Sequence, residues 1–142
     1  MSKVAVVYWS GTGNTAAMAE AVAQGARGAG ASVSVVNLDE AAFGGADVAN
    51  YDAIAFGCPA MGAEELEDGT FLPAFESCEP ELSGKKIGLF GSYGWGGGEW
   101  MSTWEETCKN DGADLVSDSV VCNEAPDDEG VAACKALGAA LA

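Results

Sequence analysis

Val4-Ala5-Val6-Val7-Tyr8-Trp9-Ser10-Gly11-Thr12-Gly13-Asn14-Thr15-Ala16-Ala17-Met18 passes from an apolar run, through six small or polar residues, into an alanine-rich segment. The apolar run, with no alternation, reads as a strand buried on both faces. The alanine-rich segment reads as a helix. Between them, Ser10–Thr15 carries hydroxyls, an amide and glycines, but no Lys or Arg. Backbone N–H groups and side-chain donors converge there at a helix N-terminus, whose dipole favours an anion. The arrangement suits a phosphate monoester held by neutral donors.

Outward from this stretch, strand-like runs alternate with helix-like ones. Strands are expected at Lys3–Tyr8, Ser32–Asn37, Asp52–Gly57, Lys86–Ser92 and Asp114–Val121. Helices are expected at Asn14–Gly28, Thr70–Ser77, Gly98–Asn110 and Asp128–Ala142, with a short or irregular one within Asp39–Asn50. Gly30 and Gly112 fall just past helices, where C-terminal caps belong. This alternation implies an α/β fold, a parallel sheet with helices on both faces, and five strands is the number expected of a doubly wound sheet of order 2-1-3-4-5. No linker, repeat or composition shift divides the chain, so one domain over residues 1–142 is expected.

Composition narrows the partners. Six Lys and Arg stand against 22 Asp and Glu, a net charge of −16. Phosphate backbones and anionic membranes need cations, so nucleic acid and membrane surfaces are excluded as partners. Basic protein surfaces are the natural complement. No run reaches the roughly 18 apolar residues of a membrane span, and the N-terminus reads straight into a strand with no targeting segment. Five cysteines without a CxxC spacing are expected to be reduced cytoplasmic thiols. The absence of His excludes imidazole acid–base chemistry, and the cysteine spacing gives no support to a metal site.

In a doubly wound sheet the ligand lies beyond the C-terminal strand ends, and three loops there are unusual. They are Ser10–Thr15, Cys58-Pro59-Ala60-Met61-Gly62-Ala63-Glu64-Glu65 and Ser92-Tyr93-Gly94-Trp95-Gly96-Gly97-Gly98-Glu99-Trp100. Together they supply a phosphate cradle, a thioether and aromatic planes within glycine-rich backbone. That set suits a flat heteroaromatic ring with a phosphate tail. Trp95, between two glycines, has no neighbouring side chain to pack on and is placed to cover a ligand.

Tyr8-Trp9-Ser10-Gly11-Thr12-Gly13-Asn14-Thr15, Gly57-Cys58-Pro59-Ala60-Met61-Gly62 and Gly91-Ser92-Tyr93-Gly94-Trp95-Gly96 resemble the three FMN-binding loops of short-chain flavodoxins. The likeness extends along the chain, through Gly84-Lys85-Lys86 and Asn123-Glu124-Ala125-Pro126-Asp127. It implies a low-potential one-electron carrier with non-covalent FMN, working with redox partner proteins such as reductases and ferredoxin-linked oxidoreductases, and monomeric. By the resemblance, Trp9 belongs to the site and Ser10, Gly11, Thr12, Gly13, Asn14 and Thr15 hold the phosphate. Pro59, Ala60, Gly62 and Ala63 form the loop that carries Met61, and Met61 and Trp95 flank the ring. Glu64 bonds the pyrimidine edge, and backbone at Ser92, Tyr93, Gly94 and Gly96 meets the remaining polar groups.

Two consequences for the redox chemistry follow. The fully reduced ring is an anion, and a carboxylate about 10 Å away at an effective dielectric near 40 opposes it by roughly 0.8 kcal/mol. That is about 35 mV for one electron. Several carboxylates, with the phosphate, lower the second reduction potential by on the order of 100 mV. In the family, a peptide flip after Gly62 presents a carbonyl to the reduced ring, converting a type II′ turn to type II. Type II wants φ > 0 at Ala63, at a cost of roughly 1 kcal/mol.

Other readings fit less well. Gly11-x-Gly13-x-x-Ala16 with Asp39 matches a dinucleotide fingerprint, but the chain is too short for two mononucleotide halves. No Lys follows the glycines for a P-loop, Cys58 has no Arg five residues on for a phosphatase, and the first strand has no phosphoacceptor Asp. An FMN-dependent quinone or azo reductase is the nearer alternative, and a non-redox FMN-binding module a third. The carboxylates Glu64, Glu65, Glu67 and Asp68 read as a solvated face, or as a docking surface at the flavin edge.

Overall fold

The computed structural model describes residues 2–61, 65–94, 96 and 98–142. Strand β1 (Lys3–Tyr8) and helix α1 (Asn14–Gly28) form where the opening stretch places them. They are followed by β2 (Ser32–Asn37), the one-turn helix α2 (Gly45–Val48), β3 (Ala53–Gly57) and α3 (Phe71–Cys78), which runs on into a 3₁₀ turn at Glu79–Glu81. Next come β4 (Lys86–Tyr93), α4 (Glu99–Asn110), β5 (Asp114–Leu115), β6 (Val120–Asn123) and α5 (Asp128–Leu141). All pairings in the sheet are parallel, in the order β2-β1-β3-β4, with β5 and β6 both against β4.

The alternation of side chains along β1 divides the core. Val4 and Val6 face α1 and α5, packing with Met18, Val22 and Leu137. Ala5 and Val7 face the other layer, with Phe71, Phe75, Trp100 and Trp104 of α3 and α4. Because both faces are covered, the interiors of the central strands, Val4–Val7, Ala53–Phe56 and Ile87–Phe90, carry no polar side chain. Helices α1 and α5 cross closely enough that Cβ atoms at Gly25 and Gly138 would lie 2.0 Å from the carbonyl oxygens of Lys135 and Val22. Only glycine fits on either side of that crossing. Gly30 and Gly112 take φ of +97° and +81° just past α1 and α4, and each closes a paired C-terminal cap. The cap bonds are Gly30 N to Arg27 O and Ala31 N to Ala26 O, then Gly112 N to Lys109 O and Ala113 N to Cys108 O.

The expected fifth strand, Asp114–Val121, is corrected. Ile87 pairs with Leu115 and Phe90 with Val120, so this edge spends five residues where β4 spends three. The two extra residues leave the ladder within Val116-Ser117-Asp118-Ser119, whose last three residues are polar and where the Ser119 hydroxyl donates to Glu105 of α4 at 2.7 Å. The excess splits one strand into two short ones. The 3₁₀ turn at Glu79–Glu81, with Pro80 inside it, was also not expected from the pattern.

Among the described residues, no helix is long and apolar enough to cross a membrane.

Candidate functional site

A cleft of about 580 Å³ opens at the C-terminal ends of β1, β3, β4 and β6. One wall is Gly11, Thr12 and Asn14; the second is Pro59, Ala60 and Met61; the third is Ser92, Tyr93 and Gly94. The three loops singled out in the sequence therefore converge on one space. Glu124 and Ala125, from the loop after β6, complete the lining. None of the six Lys and Arg residues lines it.

The first loop is shaped by its own serine. Ser10 Oγ accepts from the backbone N–H of Gly13 at 3.1 Å and of Ala16 at 3.2 Å, which caps the start of α1 from inside the turn. Gly13, at φ +95°, precedes the helix in a left-handed conformation that favours glycine. Thr15 lies beneath the cleft and does not line it. It is buried, and its hydroxyl pairs with that of Ser92 at 2.9 Å, tying α1 to the end of β4. Trp9 also turns away from this cleft. Its ring lies against Gly11, where a Cβ would come within 3.0 Å of it, and its indole N–H donates to Asp39 at 3.1 Å. Trp9 lines an adjoining groove with Met61, Leu66 and Glu67, so Met61 stands between the two spaces.

The second loop is held at both ends. Cys58 N–H donates to Phe90 O at 3.1 Å, and Ala60 N–H to Ser92 O at 3.0 Å, so β3 and β4 continue to pair past Gly57. Met61 and Glu65 form an antiparallel pair through bonds of 2.8 and 2.9 Å. The residues between them, Gly62, Ala63 and Glu64, lie outside the described residues, as do Trp95 and Gly97. The expected turn flip, the Glu64 contact and the Trp95 cover all fall there. Met61 is 39% exposed, a large apolar side chain left uncovered at the mouth of the cleft. Gly96 is described, with φ +89°, but does not line the cleft.

Glu67 corrects the reading of the acidic stretch as only a solvated face. Its carboxylate accepts from the N–H groups of Gly69, Thr70 and Phe71 at 2.7–2.8 Å, which caps α3. Its own N–H donates to Cys58 Sγ at 3.4 Å. Burial pushes the Cys58 thiol up to about 12, so it is no nucleophile at neutral pH. Cys78, Cys108 and Cys134 are raised to about 12 for the same reason, and all five cysteines are buried and unpaired to each other. Among the described residues, no group of three or more His, Cys, Asp or Glu is placed to hold a metal.

Sequence reasoning missed Glu124 and Ala125 as lining residues. Glu124 has φ +58°, the one described non-glycine residue in the left-handed region, and its N–H donates to Tyr93 O at 2.8 Å. The signal available was positional: a loop following the last strand also opens onto the C-terminal edge of the sheet. The conformation of Glu124 had no sequence signature.

Fold and cleft together define a doubly wound mononucleotide-binding domain, with its site at the switch point between β1 and β3. A family model described as "Flavodoxin" matches residues 6–138. The chain is 49% identical over 139 residues to a flavodoxin of Megasphaera elsdenii, covering 98% of each. It is 42% identical over 123 residues to one of Clostridium beijerinckii, covering 87% of this chain and 88% of that one. The solution structure of two-electron reduced Megasphaera elsdenii flavodoxin superposes with a TM-score of 0.87 at 48% identity, covering 97% of both chains. The chain belongs to the flavodoxin family. It is an FMN-dependent electron carrier that works with redox partners, not an enzyme.

The cleft fits that cofactor on its own chemistry. A flat ring needs apolar cover at an open mouth, which the exposed Met61 offers. A phosphate needs small residues at a helix N-terminus, which Gly11, Thr12 and Asn14 supply.

Proposed function

We propose that this single domain, residues 1–142, uses the cleft to bind FMN without a covalent bond and to transfer electrons one at a time at low potential. The observation that carries the reading is the convergence of Gly11, Thr12 and Asn14 with Pro59–Met61 and Ser92–Gly94 on one space without a Lys or Arg. In this reading Gly11, Thr12, Gly13 and Asn14 hold the phosphate through backbone and side-chain donors. Ser10 and Thr15 act one step back, Ser10 by fixing the turn and Thr15 by fixing Ser92. Met61 and Trp95 cover the ring, Glu64 bonds its edge, and Ser92, Tyr93 and Gly94 present backbone to its polar atoms. Trp9 supports Met61 and the Gly11 backbone from the adjoining groove, where it lies.

When bound, FMN supplies two successive one-electron reductions, the second of which leaves a negative charge on the ring. Carboxylates of Glu124 at the cleft and of Glu65, Glu67 and Asp68 at the adjoining groove oppose that charge. No cation in the lining offsets it. The second reduction is therefore driven to low potential. The same carboxylates suit partners with basic docking surfaces, which they steer at low ionic strength. Five buried, unpaired thiols suit a reducing compartment such as the cytoplasm, and in this reading the carrier acts there as a monomer.

FMN added to the flavin-free protein tests the reading. One FMN bound per chain, with riboflavin bound far more weakly, supports the phosphate cradle. Equal affinity for the two would remove it. Sustained NAD(P)H oxidation without a partner reductase would move the function to the reductase reading.

A further inference from the structure

A second cleft, of about 370 Å³, opens between α3 and α4, away from the phosphate end of the site. Leu72, Phe75, Trp100 and Trp104 give it an apolar floor. Four carboxylates stand around it, on Glu65, Asp68, Glu76 and Glu79, and no Lys or Arg lines it. Acidic residues around a groove are by themselves ordinary in a chain of net charge −16. The floor adds a separate observation.

Trp104 is 2% exposed, and its indole N–H has no acceptor among the described residues. Trp100, one turn earlier on the same helix, donates to Cys58 O at 3.3 Å. Phe71 and Phe75 meet the Trp104 ring edge-to-face at 5.3 and 5.8 Å and pack it from the α3 side. A buried donor without a partner is rare and unfavourable, and Trp104 lines this cleft. The rim asks for positive charge. Glu79 is raised to about 7 by burial, then by its hydrogen bond with Asp111, and then by the charges of Asp111 and Glu76, the last of which a cation would offset.

We propose that the α3–α4 cleft is a docking groove for a basic segment of a partner protein. The segment inserts one apolar side chain over Phe75 and Trp100, offers a backbone carbonyl to the Trp104 N–H, and sets Lys or Arg against Glu65, Asp68, Glu76 and Glu79. A buried apolar anchor within a polar rim is the usual composition of a binding hot spot, and the carboxylates here make that rim select for cations. Glu65 pairs with Met61 at the mouth of the flavin cleft, so a segment seated here lies beside the ring-side loop. The inference rests on the reading of the chain as a carrier with protein partners, and it names where and by what chemistry one docks.

The Trp104 indole N–H is its own reporter in a proton–nitrogen correlation spectrum of the FMN-loaded protein, identified by the signal lost in Trp104→Phe. Three helical peptides serve as probes: leucine–lysine, serine–lysine of equal charge, and leucine–glutamate. The leucine–lysine peptide is expected to shift the Trp104 signal saturably, and the other two to leave it in place. Glu76→Lys and Thr103→Trp, on exposed helix positions that line the groove, are each expected to weaken that binding about tenfold. Leucine–lysine binding that leaves the Trp104 signal unmoved would overturn the proposal. So would an equal shift with the serine–lysine peptide. The flavin absorbance of the same samples separates the two readings: an intact flavin spectrum with no groove binding refutes the docking site alone, and absence of bound flavin refutes the carrier function.

Discussion

Replacing Gly91 by alanine tests how tightly β3 and β4 are drawn together beneath the cleft. A Cβ there would lie 2.1 Å from the carbonyl oxygen of Cys58 and 3.2 Å from the Trp100 ring. An ordinary carbon–oxygen contact is about 3.3 Å, so the strand ends must separate by about 1.2 Å. On either side of the clash, Cys58 N–H bonds Phe90 O at 3.1 Å and Ala60 N–H bonds Ser92 O at 3.0 Å. A displacement of that size carries both beyond hydrogen-bonding range, at about 1 kcal/mol each. Overpacking adds about 1–3 kcal/mol. Gly91→Ala is thus expected to lose about 3–5 kcal/mol, a fall of about 10–17 °C in Tm. It should also weaken FMN binding, because Ala60 and Met61 move with Cys58. Gly94→Ala is the internal control. It lies three residues on, with open space around its Cβ position and no positive φ, and should stay within about 0.5 kcal/mol of the parent. Urea unfolding followed by circular dichroism, on FMN-free and FMN-loaded protein, measures both. A loss below about 1 kcal/mol for Gly91→Ala, or equal losses for the two variants, would refute the reasoning.

Three further outcomes are expected. Thr15→Val and Ser92→Ala each leave one buried hydroxyl without its partner and should cost about 1–3 kcal/mol; the double variant should cost less than the sum, measured as a double-mutant cycle in urea. Glu79, raised from 4.5 to about 7, is stabilised in its protonated form in the folded state, so its contribution is complete below pH 4.5 and is lost as pH rises to about 7. Glu79→Gln, which stays neutral, should gain stability relative to the parent across that window and hold the gain at pH 8, read from urea midpoints. Ala63→Gly should raise the first reduction potential by roughly 40 mV, the equivalent of the roughly 1 kcal/mol that φ > 0 costs alanine; an unchanged potential would dismiss the turn argument.

The legible part of this fold was the part decided by local pattern. Val4–Val7 and Ala53–Phe56 are buried on both faces, and such strands announce themselves as unbroken apolar runs. The sequence around Gly30 and Gly112 announced caps because only the left-handed backbone needs glycine there. The split of β5 from β6 was not legible, since it depends on a register against β4 that two surplus residues break. At the site, loop identity was readable and side-chain direction was not. Trp9 and Thr15 sit in the cradle motif, yet one faces the adjoining groove and the other lies beneath the floor. Glu67 read as one acidic residue among several, and its role as the cap of α3 emerged only when the chain turned back on itself at Gly69–Phe71.

A cleft lined by Glu124 and by no Lys or Arg is expected to hold FMN and to force its two reductions apart. Anaerobic potentiometric titration of the FMN-loaded protein, followed by visible absorbance, addresses it directly. Two resolved one-electron steps are expected, the second on the order of 100 mV or more below the corresponding step of free FMN. A single two-electron wave, or a second step at or above that of free FMN, would contradict it.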